Sequence, residues 1–454
     1  METVTREGVQ VNAASKTRGL RTLSSLIDDE RISAYQLGVI ALCALIAMLD
    51  GFDTQAIAFT APAIAVALNI PVATFGPVFS MGLLGGMLGA FGFGLVADRA
   101  GRKFSLIVAM IVFALGSLLT ARANFANELM LFRFTTGLGL GGAIPSIISM
   151  TAEFAPRRLR ATLVTTMFCG FPLGAIVGAL ASAHLLPSYG WAVVFSIGGV
   201  LPLLLLPLVI FVMPESIRWL SAKKRGLAIG RILSRMQRAD SWDHQLEVPE
   251  RNAAQNRVAA LFAAGFGGGT LLLWTTLFLS LLVVYLLVNW IPTIAQQSGR
   301  GADAAAVSAA MLNFGGIVGS VCLGRLIDRF GSFRIVCAAY VGGAACVLAL
   351  GVGTNLTSSI YWLAAVAGFL CIGAQLSVVA IAAEFYPLEL RATGVGWAMG
   401  VGRLGAITGP LIGGLLLGGS DYKLLFVVLA SASLVAGLAV LGLTNSLRAN
   451  STHH

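Results

Sequence analysis

The stretch "GLVADRAGRK", residues 94–103, returns as "GRLIDRFGSFR", residues 324–334, and "AEFAPRRLRAT", residues 152–162, returns as "AEFYPLELRAT", residues 383–393. The two matches are offset by 230 and 231 residues. Two separate likenesses at nearly one offset mark an internal repeat rather than a chance resemblance between loops. Each half of the chain therefore reads as one copy of the same unit, and in both copies a short charged loop separates long apolar runs.

Those runs belong in a bilayer. The chain is 57% hydrophobic and 11% charged, whereas soluble domains are about 45–50% apolar and roughly a quarter charged. At about 20 apolar residues per span, helices are expected near 35–65, 74–97, 103–121, 127–150, 161–183, 190–213, 270–292, 304–327, 333–352, 358–382, 392–416 and 423–444. The fold expected is an all-α membrane protein of twelve transmembrane helices in two six-helix bundles. Residues 1–34 form a tail, 35–213 the first bundle, 214–269 a polar central loop, 270–444 the second bundle and 445–454 a second tail. Lys and Arg in the loops set the orientation. One side receives Arg99, Arg102, Lys103, Arg157, Arg158, Arg160, the basic residues of the central loop, Arg325, Arg329, Arg334 and Arg391; the other receives only Arg122, Arg300 and Lys423. Both termini are read as cytoplasmic, and Gly, at 54 residues, supplies the close helix contacts that membrane bundles use.

Other classes find no support. The net charge of +10 is scattered over short loops with no basic stripe interleaved with aromatics, so nucleic acid is not expected as a partner. Cys43, Cys169, Cys322, Cys337, Cys346 and Cys371 lie in apolar stretches without metal-ligand spacing, so neither disulfides nor a metal are expected. The polar N-terminal thirty residues lack the layout of a cleaved signal peptide. An enzyme would need an activated nucleophile or a metal set, and neither constellation is present.

Four charges inside the spans call for another use. Asp50 and Asp53 share the first helix, where each acid costs about 2.5–3.5 kcal/mol to insert. Three residues apart, they lie on neighbouring parts of one face; in a low-dielectric cavity both cannot remain ionised cheaply, so the pair is suited to carry a proton. At 1.5 Å per residue Asp53 lies roughly 27 Å along its helix from the inner end, and Arg133 about 9 Å below the outer end of the fourth helix. Both fall in the outer half, and Arg133 is assigned to the acid pair, for coupling or for structure. Arg403 comes out about 16 Å above the inner end of the eleventh helix, near mid-membrane. By the 231-residue offset it corresponds to Pro172, and Arg133 to Ala364, so neither charge recurs in the other half. A guanidinium pairs with a carboxylate through two parallel hydrogen bonds, which makes Arg403 the expected clamp for an anionic solute.

With "GFGLVADRAGRK" after the second helix, "RFTTGLGLGG" opening the fourth and two matching halves, the chain resembles the major facilitator superfamily. The first-helix "LDGFDTQAIAFTAPAI" is similar to that of the aromatic acid:proton symporters. The resemblance implies two bundles around a central cavity open alternately to each side, with the site near the midplane. It implies a proton-coupled importer of a benzoate- or hydroxybenzoate-like carboxylate in the cytoplasmic (inner) membrane, with no cofactor beyond the proton gradient, lipid as its surroundings and one copy of the chain sufficing. An importer of a sugar acid or aliphatic acid is the alternative. Drug:proton antiporters of the superfamily carry G-P-x-x-G-G in the fifth helix, which here reads "CGFPLGAIVGAL", and this favours uptake. Phe52, Tyr285, Asn289, Trp290, Gln375 and Trp397 are candidates to line the site beside Arg403, with Phe59, Phe168, Phe171 and Phe314 as further aromatics. Tyr285, Asn289 and Trp290 lie beside an expected helix break at Pro292. The resemblance also implies that Asp98, Arg99, Arg102 and Lys103, with Asp328 and Arg329, close the cytoplasmic side through charge pairs, joined by Glu153 with Arg160 and Glu384 with Arg391.

Overall fold

A computed structural model describes residues 32–236, 259, 261–262, 266–296, 302–352, 359–386, 388–417 and 422–451. Among the described residues twelve helices are long and apolar enough to cross a membrane. In chain order these spans are Ala34–Leu68, Val72–Ala100, Arg102–Thr120, Ala126–Phe154, Thr162–Tyr189, Ala192–Val212, Gly267–Ala295, Ala304–Ile327, Ser332–Gly351, Ile360–Val379, Thr393–Leu417 and Lys423–Leu443, and are called spans 1 to 12.

Span 1 shows how local sequence sets an element. Ser33 and Gln36 form a capping box at its start, and Asn69 ends it in the left-handed region at φ 51°. Ser and Gln three apart satisfy two orphan backbone donors reciprocally, while Asn tolerates positive φ better than most residues. Span 7 continues to Ala295 as one helix, so the break expected at Pro292 is absent. The proline removes one rung of the helix ladder, a loss that membrane helices tolerate. The central polar stretch also departs from a plain loop, for Ile217–Ala222 and Gly226–Arg235 are helical. Ile217, Leu220, Ile229, Ile232 and Leu233 bury themselves against the inner end of the first bundle, the burial of apolar surface that holds short helices in place.

The repeat recurs as packing. A Cβ on Gly174 would strike the Met48 carbonyl and one on Gly405 the Phe278 carbonyl, so spans 1 and 5 meet as closely as spans 7 and 11. Only glycine permits either approach. Met48 and Phe278 are 230 residues apart, and by this register Asp50 corresponds to Ser280 and Asp53 to Val283. Where the first half carries an acid, the second has a hydroxyl that accepts from Tyr340 Oη at 2.7 Å.

The apolar core is divided by depth. One cluster contains the outer parts of both bundles, including Phe59, Phe75 and Phe79 from the first and Leu286, Trp290 and Ala364 from the second. Two further clusters fill the inner halves, one per bundle. Span 5 makes the same division: its outer part, Gly170–Tyr189, packs on span 8, while Arg160–Phe168 contacts its own bundle. The bundles are joined outside and separate inside, so this is an inward-facing conformation.

Candidate functional site

Three contacts seal the outer end. Span 2 approaches span 11 until a Cβ on Gly76 would lie 2.9 Å from the Pro410 carbonyl, and Ser80 Oγ donates to the Ile407 carbonyl at 2.7 Å. The Phe79 ring meets Trp290 edge-on with centroids 5.3 Å apart. Below them Gln55 on span 1 and Asn313 on span 8 exchange amide hydrogen bonds: Gln55 Nε2 donates to Asn313 Oδ1 at 3.0 Å and Asn313 Nδ2 to Gln55 Oε1 at 2.8 Å. Both residues are buried. Sequence reading passed over this pair, although an amide in an apolar span is itself a signal.

Replacing either amide by alanine strands the other, at about 1–3 kcal/mol for a buried unsatisfied group. Gln55→Ala and Asn313→Ala are each expected to shift the population toward the outward-facing state by roughly 5- to 150-fold. Spin-label distances across the outer ends of spans 2 and 11 measure it. Distances unchanged from the parent would deny the pair any part in holding the outer side closed.

Beneath this seal the bundles part into separate inner cores. Arg403, Tyr285 and Thr54 are partly exposed, while Asp50 is buried at 6% exposure. Thr54 Oγ1 donates to Asp50 Oδ1 at 2.9 Å. Arg403 Nη1 reaches the Gly86 carbonyl of span 2 at 3.4 Å, a long contact that holds the guanidinium across the bundle interface. Arg403 forms no ion pair among the described residues. The charges of Asp50 and Arg403 both act on the Tyr285 hydroxyl, and Arg403 acts on Asp50 itself. Arg403, Asp50 and Tyr285 thus come from spans 11, 1 and 7 to one place.

Asp53, 0% exposed, has a different setting. Arg133 Nη1 donates to its Oδ2 at 2.7 Å and Nη2 to its backbone carbonyl at 3.1 Å; Ser117 Oγ lies 2.6 Å from Oδ1. The Arg133 guanidinium carbon lies 5.7 Å from the Phe195 ring centroid, close enough for a cation–π contact. These hydrogen bonds offset part of the cost of burying the pair, although Arg133 Nε is buried without a hydrogen-bond partner among the described residues. Arg133 thus pairs with Asp53, not with Asp50.

The other site candidates divide. Asn289 Nδ2 donates to the Tyr285 carbonyl at 2.6 Å, and Gln375 is buried at 9% exposure. Three do not line the cavity. Phe52 packs against Gly178 and Gly198 within its own bundle. Trp290, 0% exposed, donates its indole N–H to the Pro410 carbonyl at 3.2 Å and so belongs to the outer seal. Trp397 is 48% exposed and stacks on Trp274; it shares a helical face with exposed Leu404 and Leu415 and stands about 120° round the helix from Arg403. Of the further aromatics, Phe59 is buried in the shared core, Phe171 is partly buried, and Phe168 and Phe314 are exposed.

At the inner end Glu153 pairs with Arg102 at 3.2 Å rather than with Arg160, whose Nε is buried without a hydrogen-bond partner. Glu153 also accepts from Ser216 Oγ at 2.7 Å, and Glu215 accepts from the backbone N–H of Arg102 at 2.7 Å and of Lys103 at 3.1 Å. Two acids thus tie the start of the central segment to the loop between spans 2 and 3. Asp98 and Arg99 have exposed side chains, and Arg329 is exposed over Phe330. The side chains of Asp328, Glu384 and Arg391 lie outside the described residues. Among the described residues the Asp98 side chain has no partner across the separated inner ends, so its pairing is expected in the outward-facing state. Asp98→Asn is expected to cut uptake by roughly tenfold, the worth of about one charged hydrogen bond, while binding measured in detergent stays within about twofold. Binding and transport lost together, in folded protein, would remove Asp98 from the gate.

Among the described residues no group of His, Cys, Asp or Glu is arranged to hold a metal. Residues 43–378 and 273–453 each match the model of the Major Facilitator Superfamily. The chain is 39% identical to the 4-hydroxybenzoate transporter PcaK of Pseudomonas aeruginosa, over 92% of this chain and 95% of that one. It is 39% identical to a gallate transporter of Pseudomonas putida, over 91% and 93%. Among solved structures the xylose transporter XylE from E. coli superposes with a TM-score of 0.71 at 17% identity, covering 90% of this chain and 98% of that one.

Proposed function

The chain belongs to the Major Facilitator Superfamily and, within it, to the aromatic acid:proton symporters, and on that premise we propose how its residues couple solute to proton. It is a multi-pass protein of the cytoplasmic membrane, a transporter rather than an enzyme, importing an aromatic carboxylate at the expense of the proton gradient. The solute class follows relatives that transport 4-hydroxybenzoate and gallate, both planar rings bearing one carboxylate and hydroxyl groups.

One observation carries the reading: an arginine without an ion-pair partner among the described residues lies within electrostatic range of Asp50, where the two bundles meet. A solute carboxylate clamped by Arg403 sets two negative charges, its own and that of Asp50, against one guanidinium. Protonation of Asp50 removes the excess charge, so anion and proton each favour the other's binding. That mutual preference is the thermodynamic content of symport. Tyr285 and Asn289, one helical turn apart on span 7, are suited to meet a ring hydroxyl. Asp53 lies about one turn nearer the outer surface than Asp50, so a proton entering from outside reaches it first. Neutralising Asp53 releases Arg133, and passing the proton to Asp50 restores the pair present in the inward-facing state.

Competition separates aromatic from aliphatic acids. Uptake of labelled 4-hydroxybenzoate by cells expressing the protein is expected to be inhibited by benzoate and gallate and unaffected by gluconate or succinate. Inhibition by the aliphatic acids alone would favour the alternative solute class.

A further inference from the structure

Ser117 on span 3 faces two acceptors with one hydrogen. Its Oγ lies 2.6 Å from Asp53 Oδ1 and 3.0 Å from the Phe195 carbonyl on span 6, and the residue is 0% exposed. A hydroxyl has one donor and two acceptor sites and turns to suit its surroundings. When Asp53 is ionised, the hydrogen goes to Oδ1. When Asp53 is protonated, Oδ1–H donates to Ser117 Oγ and the hydroxyl turns to donate to the Phe195 carbonyl. No bond within the serine breaks; the added proton is the transported one. Both states keep the Asp53 carboxyl and the Ser117 hydroxyl paired, which matters because a buried polar group left unpaired is costly; Arg133 Nε is buried without a hydrogen-bond partner among the described residues.

Space around the cluster is tight enough to enforce this. A Cβ on Gly198 of span 6 would lie 3.0 Å from both Asp53 Oδ1 and Ser117 Oγ, so bare backbone caps the pair. The groups facing Asp53 are Arg133 from span 4, Ser117 from span 3, the Phe195 carbonyl and Gly198 from span 6, and Asp50 on its own span, which Arg403 of span 11 faces in turn. Arg133, Asp50 and Arg403 are the charged or titratable members.

We propose that Ser117 is a positioning residue for proton coupling: a hydroxyl rotor that satisfies Asp53 in both protonation states, so that Asp53 takes up and gives back the proton that frees Arg133. The proposal rests on the reading of Asp53 as a coupling group. Sequence offered little hint, since a lone serine in an apolar span is ordinary.

The test compares Ser117→Ala, Ser117→Thr and Asp53→Asn, assayed for proton-driven uptake of 4-hydroxybenzoate against external pH and scaled to folded transporter in the membrane. A hydrogen bond to an ionised acceptor is about twice as strong as a neutral one, so alanine removes more support from ionised than from protonated Asp53. Ser117→Ala is therefore expected to move the uptake profile toward alkaline pH by about half a unit or more, with 4-hydroxybenzoate binding within about twofold of the parent. Ser117→Thr, which keeps the hydroxyl, is expected to hold the parental profile. If alanine folds poorly, Ser117→Cys, with its weak donor, is expected to shift the profile the same way. A parental pH profile in Ser117→Ala or Ser117→Cys, with Asp53→Asn unable to accumulate solute, would overturn the rotor alone. Normal accumulation by Asp53→Asn would overturn the coupling role of Asp53, and the rotor with it.

Discussion

The Asp50→Asn transporter is expected to bind and exchange an aromatic acid yet to stop at the outside concentration, where the parent accumulates it about tenfold for each unit of pH gradient. A neutral amide beside Arg403 mimics the protonated acid permanently. The site then accepts the anion without a proton, and the gradient loses its hold on the solute. Counterflow of labelled against unlabelled 4-hydroxybenzoate should persist, because exchange needs no net proton movement, while accumulation driven by an imposed gradient should vanish. Because Asp50 hydrogen-bonds only Thr54 among the described residues, asparagine should fold in its place. Asp53→Asn is the harsher change: it leaves Arg133 buried without its charge partner, at about 3–5 kcal/mol. If Asp50→Asn accumulates solute as the parent does, Asp50 is not the group that links anion to proton.

The second large effect falls on Arg403. Truncating one partner of a buried charge pair costs about 2–5 kcal/mol, so Arg403→Ala is expected to weaken binding of 4-hydroxybenzoate by roughly 30- to several-thousand-fold. Arg403→Lys keeps the charge and loses the planar fork, and should fall between alanine and parent. Neither variant should gain affinity for the uncharged amide analogue. Binding by calorimetry on purified protein measures all three. Parental affinity in Arg403→Ala would move the clamp elsewhere, and the ion pair that Arg133 already makes with Asp53 makes that residue a poor substitute.

Much of this architecture could be read before any coordinates. Apolar length marked the spans, and the twin loops near residues 94 and 324 divided the halves. Rise per residue alone placed Asp53 and Arg133 at one depth, and they meet at 2.7 Å. Depth does not fix azimuth, however. Trp290 stood near the right height, but only the packed helices reveal that its ring turns away from the cavity onto span 2 and its N–H onto the Pro410 carbonyl. Gln55 and Asn313 were hidden for a related reason: each is unremarkable in its own half, and their sequence separation of 258 is closed only when the bundles meet. Glu153 illustrates a third limit. Arg160, seven residues on, looked the natural partner, yet the chain folds Arg102 closer.

Accumulation in proteoliposomes offers the most direct decision on whether an aromatic carboxylate and a proton travel together. Purified protein is reconstituted, an inwardly directed proton gradient with the outside more acidic is imposed, and labelled 4-hydroxybenzoate inside is compared with that outside. The expected result is a transient internal excess that grows with the imposed gradient, collapses with a protonophore and is missing from Asp50→Asn vesicles. Protein-dependent uptake that levels off at the outside concentration, whatever the gradient, would contradict symport and leave a facilitator in its place.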